Sequence, residues 1–476
     1  MMRYLPLRSV YLAPVLAALV LTAGLIPSAA RVVSGQDSNT PTPNPSGFVG
    51  ELVVEGLDWG VTDFAFAPDG RIFVTTLAGF VVVIKDGVRL PKPFIQLPVN
   101  SLTERGLIGL ALDPSFQTNG YVYLFYTYEH DPSDHEGPKT NRLVRVTAEG
   151  DVAFPGSEVI LLGTVVGEPS RPSCSDFPAG ADCLPADGKS HIGGSLGFSS
   201  DGKLFVGTGE ASNQAPDYLA NIMLPFNLDS LAGKILRINP DGSAPPDNPF
   251  YTGDPTANRS KVWSYGLRQP FRMAVQPGTD LPFVGDVGAS SWEEINVAVP
   301  GANFGWPCYE GAGLQPTLSK LDFCQDLIED GPAETQPLYA YAHDGESAAV
   351  TAGVFYQGTN YPARFNNAFF FGDWAQSWIS VLKVDGDNDL VDGSVEVVLT
   401  DAGRPIDFEV GPDGDIYYLT SGGKVWHLRY IGSVGGSDSS GANTGIVVAI
   451  AAAVAIAVVA AGVVVLMMMR KRRAQL

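Results

Sequence analysis

A histidine, an arginine and several carboxylates fall close together between His191 and Pro307, in the segments HIGGSLGFSSDGKLFVGTGE, LAGKILRINPDGSAPPDNPF, SYGLRQPFRMAV and GDVGASSWEEINVAVPGANFGWP. An imidazole is the side chain suited to take a proton near pH 7. An arginine can stabilise negative charge that grows on a reacting oxygen, and clustered carboxylates suit a hard cation such as calcium. A purely structural repeat gives little reason to place Glu210, Glu293 and Glu294 so near His191 and Arg268 in sequence.

Elements that could position these side chains follow from a recurring phrase. FAPDGRIFV, DPSFQTNGYVYLFY, FSSDGKLFV and VGPDGDIYYL each place Asp or Asn before Gly and then start an alternating apolar run. The dipeptide supplies the positive φ of a tight hairpin and the alternation supplies a strand. Helix-period stretches are nearly absent. Sheets repeated about an axis explain why one turn-strand phrase returns so far along the chain, and the expected fold is an all-β propeller.

Charge and ends set the setting. The 30 Lys+Arg against 51 Asp+Glu give a formal charge of −21, which argues against nucleic acid and against docking on anionic lipid. Residues 1–30 read as a secretory signal, with Arg3 and Arg8 before an apolar run that closes on Ser28, Ala29 and Ala30. Residues 31–47 form a Pro/Ser-rich spacer, 48–431 the propeller ectodomain and 432–444 a Gly/Ser linker. Residues 445–469 form an uncharged apolar run long enough, at about 1.5 Å per residue, to cross a bilayer core of roughly 30 Å as a single C-terminal transmembrane helix. The basic tail, 470–476, stays in the cytoplasm by the positive-inside tendency, which leaves the ectodomain outside the cell membrane. In that oxidising setting Cys174, Cys183, Cys308 and Cys324 are expected as disulfides, paired locally because each neighbouring pair brackets a short loop-like segment.

With these motifs on the page, a resemblance becomes specific. ERGLIGLALDPSFQTNGYVYLFYT, the His191 segment, LAGKILRINPDG, YGLRQP, EEINVAVPGANFGWP and FFFGDW resemble, in order and spacing, the glucose/sorbosone dehydrogenase family. The resemblance implies a six-bladed propeller that oxidises a sugar at its C1 hydroxyl, with pyrroloquinoline quinone as hydride acceptor and calcium beside it. It places His191 as the base, Glu210 as the acid that orients the imidazole, and Arg268 against the cofactor. Gln269 and Glu104 line the same mouth, and Arg404 is a retained cofactor anchor. It draws calcium ligands from the Gly288 and Ala289 turn, with Glu293 nearby. Gly193 and Gly194 would let a flat ligand approach the backbone.

Ala375 and Ile406 stand where quinone-binding relatives carry a lysine and a second arginine, so fewer cations face the acidic cofactor. That departure favours a competing reading, a propeller that binds glycans or a protein partner without catalysis. His130, His135, His343 and His427 are expected in loops or at the surface. No Cys-x-x-Cys-His run is present, so no electron-transfer partner is encoded in the chain and the electron acceptor is unknown.

Overall fold

The structure is a computed structural model that describes residues 46–57, 60–212, 221–329 and 334–432. Six antiparallel sheets, each built on four strands, follow one another along the chain. Their innermost strands are Val61–Phe66, Leu107–Leu112, Gly193–Phe198, Pro270–Val275, Val350–Phe355 and Pro405–Val410. Each packs against the next around a common axis, and the sixth against the first, so the sheets are the blades of a closed six-bladed propeller.

Sequence accounts for this arrangement locally. Second strands such as Leu204–Thr208 and Phe369–Asp373 are buried throughout and carry near-continuous apolar residues, because blades cover both faces. Phe48–Val54 instead alternates buried and half-buried positions, as an outermost strand must. Burial is divided into six apolar clusters, one between each pair of neighbouring blades. Phe73, Val83, Leu110 and Leu124 join the first blade to the second, and Phe48, Phe370, Val381 and Tyr418 join the fifth to the sixth.

Four hairpins read from sequence are present, with Gly70, Gly120, Gly202 and Gly414 at φ of 88°, 65°, 75° and 82°. They link the first two strands of the first, second, third and sixth blades. The fourth blade makes the same connection through Gly278, and the fifth through a longer loop with a helical turn at Ala363–Phe365.

Every innermost strand is bulged against its neighbour, at Val61/Phe64, Leu107/Gly109, Gly193/Leu196, Pro270/Arg272, Thr351/Val354 and Pro405/Asp407. A bulge frees backbone groups and re-aims side chains. Polar side chains of adjacent blades take up some of the freed N–H groups. Asp63 Oδ2 accepts from Leu110 (2.9 Å), Asp407 Oδ2 from Phe64 (3.1 Å) and Ser195 Oγ from Met273 (2.8 Å).

The sixth blade is closed by the N-terminal strand: Phe48–Val54 pairs antiparallel with Lys424–Tyr430. The expected disulfides are both formed, Cys174 with Cys183 and Cys308 with Cys324. Among the described residues no helix is long and apolar enough to cross a membrane. The signal segment 1–30 and the apolar run 445–469 lie outside the described residues.

Candidate active site

The bulged starts of the innermost strands converge on one mouth. A cavity of about 450 Å³ opens there, and every blade contributes a side to it: Thr62, Ile108, Gly193, Phe271, Thr351 and Ile406.

His191 stands at the entrance to the third blade, on a left-handed turn with φ of 58°. Three bonds fix it. Its N–H donates to Glu104 Oε2 at 2.7 Å, its carbonyl accepts from Ala211 N–H at 3.0 Å, and Nδ1 meets Glu210 Oε1 at 2.8 Å. The other ring nitrogen, Nε2, lies 2.8 Å from Arg268 Nη2. A guanidinium only donates, so Nε2 accepts, and the proton of the neutral ring therefore sits on Nδ1 and is given to Glu210. The imidazole is held as a base whose lone pair faces the cavity wall beside Arg268.

Glu210 is fully buried. Its second oxygen, Oε2, accepts from Trp306 Nε1 at 2.6 Å. Burial pushes the carboxyl up. The hydrogen bond from His191, the nearby charge of Arg268 and the bond from Trp306 oppose burial and hold it below the usual carboxylate range.

Arg268 and Gln269 form one turn, gripped from below by Asp286, which accepts their N–H groups at 3.0 and 2.6 Å. Burial dominates at Asp286 and lifts it to about 7 in spite of these bonds. Arg268 also donates to Val287 O at 2.7 Å. Gln269 Oε1 accepts from Gly193 N–H at 2.9 Å, and its Nε2 reaches Glu104 Oε2 at 3.4 Å. His191, Glu210, Arg268, Gln269 and Glu104 are thus brought into one hydrogen-bonded set.

Arg404 is placed differently. It is exposed, at φ of 64°, with its guanidinium 5.1 Å from the ring of Trp374, and Trp374 forms part of the cavity wall. Ile406 lines the cavity as an apolar patch. Arg272 also reaches the cavity, but its Nε lies 3.3 Å from Asp407 and Nη2 donates to Thr62 O.

The acid set around Gly288 and Ala289 departs from expectation. Gly288 lines the cavity. Glu293, however, is committed to His343 Nε2 (2.7 Å) and Val350 N–H (2.9 Å). The carboxylate that meets the turn is Glu310. Its Oε1 accepts from Ala289, Ser290 and Ser291 at 2.9 Å each and from Trp292 at 3.2 Å. Among the described residues, Glu310 Oε2 and Asn296 Oδ1 are buried oxygens without a hydrogen-bond partner. Glu294 lies beside them, lifted to about 8 by burial and then by the charge of Asp286. Unmet oxygens among acids suit a hard cation. A second group, Asp413, Asp415 and His427, brings its ligand atoms within 4.8 Å of one another at the far end of the sixth blade.

Glycines 193 and 194 are also required by packing, and Gly193 lines the cavity. A Cβ at Gly193 would lie 2.5 Å from Gly209 N, and one at Gly194 would lie 2.7 Å from Ile108 Cγ1. His343 and His427 are also not surface residues, since each is mostly buried against a carboxylate.

Sequence reasoning did not assign Trp306, Asp286, Glu310, Thr351 or Trp374. The first two lie inside the segments that drew attention to the site, but nothing in an isolated Trp or Asp marks its partner. Thr351 lines the cavity, and its buried hydroxyl has no hydrogen-bond partner among the described residues.

The chain is similar to known proteins over most of its described length. The family model described as Glucose / Sorbosone dehydrogenase matches residues 58–427. An aldose sugar dehydrogenase of Escherichia coli is 28% identical over 78% of this chain and 89% of its own length. Quinoprotein glucose dehydrogenase B of Acinetobacter calcoaceticus is 29% identical over 52% of this chain and 50% of its own. A solved glucose dehydrogenase superposes with a TM-score of 0.63 at 26% identity, over 81% of this chain and 99% of its own.

Proposed function

The chain belongs to the glucose/sorbosone dehydrogenase family, and from that premise we propose that it oxidises the C1 hydroxyl of an aldose, with the hydride passing to pyrroloquinoline quinone. The observation that carries this reading is His191 held through Nδ1 to Glu210 and through Nε2 to Arg268 at the wall of the axial cavity.

The residues present fit a planar anion. Arg268 and Thr351 line the cavity, Arg268 Nε and Thr351 Oγ1 are buried with no hydrogen-bond partner among the described residues, and Arg404 stands over Trp374 at the lip. Arg268, Thr351 and Arg404 would hold the cofactor, which when bound supplies the two-electron acceptor for the hydride. Glu310 and Asn296 would hold calcium through their unmet oxygens.

The chain's own residues then account for the proton. Arg268 Nη2 occupies the Nε2 lone pair, so it has to yield before a sugar hydroxyl can donate there. The C1 hydroxyl gives its proton to Nε2, its carbon gives up hydride, and the sugar leaves as the lactone. Glu210, negative and buried against Nδ1, stabilises the imidazolium that forms. Arg268, once displaced, can place its charge on the oxygen where negative charge grows.

We place the enzyme outside the cell, tethered by residues 445–469, on the strength of the apolar run and the basic tail that follows it.

The test is titration of the calcium-loaded protein with pyrroloquinoline quinone, followed by dye reduction with a panel of aldoses. Saturable binding and turnover are expected, with His191→Ala lowering kcat by about 10²–10⁴. No binding at high cofactor concentration overturns the reading and leaves a ligand-binding propeller.

A further inference from the structure

We propose that Trp306 is a positioning residue of this site: its indole N–H pins the inner oxygen of Glu210 and so holds His191 in the tautomer whose Nε2 carries no proton and can take one once Arg268 yields. The inference rests on the dehydrogenase reading for its kinetic consequence, but its structural content stands on the geometry alone.

Hydrogen-bond polarity leaves little choice in this chain of contacts. Arg268 can only donate, so Nε2 of His191 accepts. Nδ1 must then donate to Glu210 Oε1. Trp306 Nε1 can only donate, and it gives its proton to Glu210 Oε2 at 2.6 Å. Among the described residues it is the donor that this oxygen has. A buried carboxylate with one oxygen unmet pays the desolvation of that oxygen in full, and it is then free to rotate or to take up a proton. A proton on Glu210 removes the acceptor that fixes the His191 tautomer.

Trp306 is suited to this by its own fixation. It is 3% exposed, and its backbone N–H donates to Gly266 O at 2.9 Å, two residues before Arg268. Arg268 lies over its ring at 5.4 Å, and the N–H of Glu210 donates to Arg268 O at 2.9 Å. One indole therefore touches the partner on each side of the imidazole.

Side-chain length fits the same account. Glu210 spans from His191 Nδ1 on one oxygen to Trp306 Nε1 on the other. An aspartate, one methylene shorter, has to give up one of the two donors or draw them in.

Trp306→Phe keeps an aromatic ring and removes the indole N–H together with part of the ring's bulk. We expect kcat to fall on the order of ten- to a hundredfold with KM within about twofold, since a small misplacement of a catalytic group costs up to about 10² in rate. The acid limb of the pH–rate profile should move to higher pH. Nitrogen NMR of His191 should show one neutral tautomer, protonated on Nδ1, in the parent protein and a mixture in the variant. Unchanged kcat, an unchanged profile and an unchanged tautomer overturn the proposal. Should Trp306→Phe fail to fold, Glu210→Asp tests the same link, with the same tautomer mixture expected and an unmixed tautomer counting against it. If the parent protein turns over no aldose, the dehydrogenase reading fails, while the tautomer comparison still decides the role of Trp306.

Discussion

Glu210 shows how much chemistry a single side chain fixes here. It is fully buried, yet the hydrogen bonds from His191 and Trp306 and the nearby charge of Arg268 hold its carboxyl below the usual range. Glu210→Gln keeps the shape and removes the charge, so the imidazolium loses its counter-ion. A loss in kcat of about 10²–10⁴ is expected, read by steady-state kinetics with saturating cofactor.

The same residue links to stability. Its folded value is depressed, so its contribution is present above the ordinary value of 4.5 and is lost as pH falls through the lowered one. Denaturant melts below pH 4.5 should therefore flatten in Glu210→Gln relative to the parent.

His191, Glu210 and Arg268 could be singled out in the sequence because rare residue types stood inside ordered motifs. Glu310 could not. It lies in a Cys-Tyr-Glu run beyond the Gly-Trp-Pro turn, and only the fold carries it beneath the backbone of residues 289–292.

At the scale of elements, the hairpin that carries His191 depends on close backbone approach. A Cβ on Gly209 would lie 1.9 Å from His191 O. Gly209→Ala should displace the histidine turn and lower kcat at least tenfold. Gly194→Ala, at φ of 106° and against Ile108, should instead destabilise the protein by about 2–4 kcal/mol, the sum of backbone strain and overpacking. Comparing urea melts with kinetics for the two variants separates the effects.

Turn chemistry explains which blades could be read. Asp-Gly and Asn-Gly turns announced four hairpins. The fourth blade turns on Pro277-Gly278-Thr279-Asp280 and the fifth through a loop of more than ten residues, so neither repeats the phrase. The glycines after His191 were visible, but the packing that also requires them was not, because Gly194 meets Ile108 and Phe125 from another blade.

At the scale of the whole molecule, the axis below the cavity gathers carboxylates. Asp63 and Asp407 are hydrogen-bonded to each other and both are raised, chiefly by burial, with Arg272 opposing. Glu409, also on the sixth innermost strand, is lifted to about 8 by burial and then by Asp63. Between pH 4.5 and about 8 the folded protein thus keeps a proton that the unfolded chain has lost, and raising pH favours unfolding. Stability should decline across that window, and Glu409→Gln should remove part of the slope in melts taken at several pH values.

The closing strand has a mechanical consequence. Phe48 faces Tyr430 and Val54 faces Val425, so both ends of the chain leave the sixth blade at the same edge of one antiparallel pair. Tension applied across those ends loads the hydrogen bonds in succession, as a zipper, and not all together in shear. A pull on the C-terminal side would therefore open the ring at Phe48 first, under modest force, while the bulged inner strands that frame His191 remain unloaded.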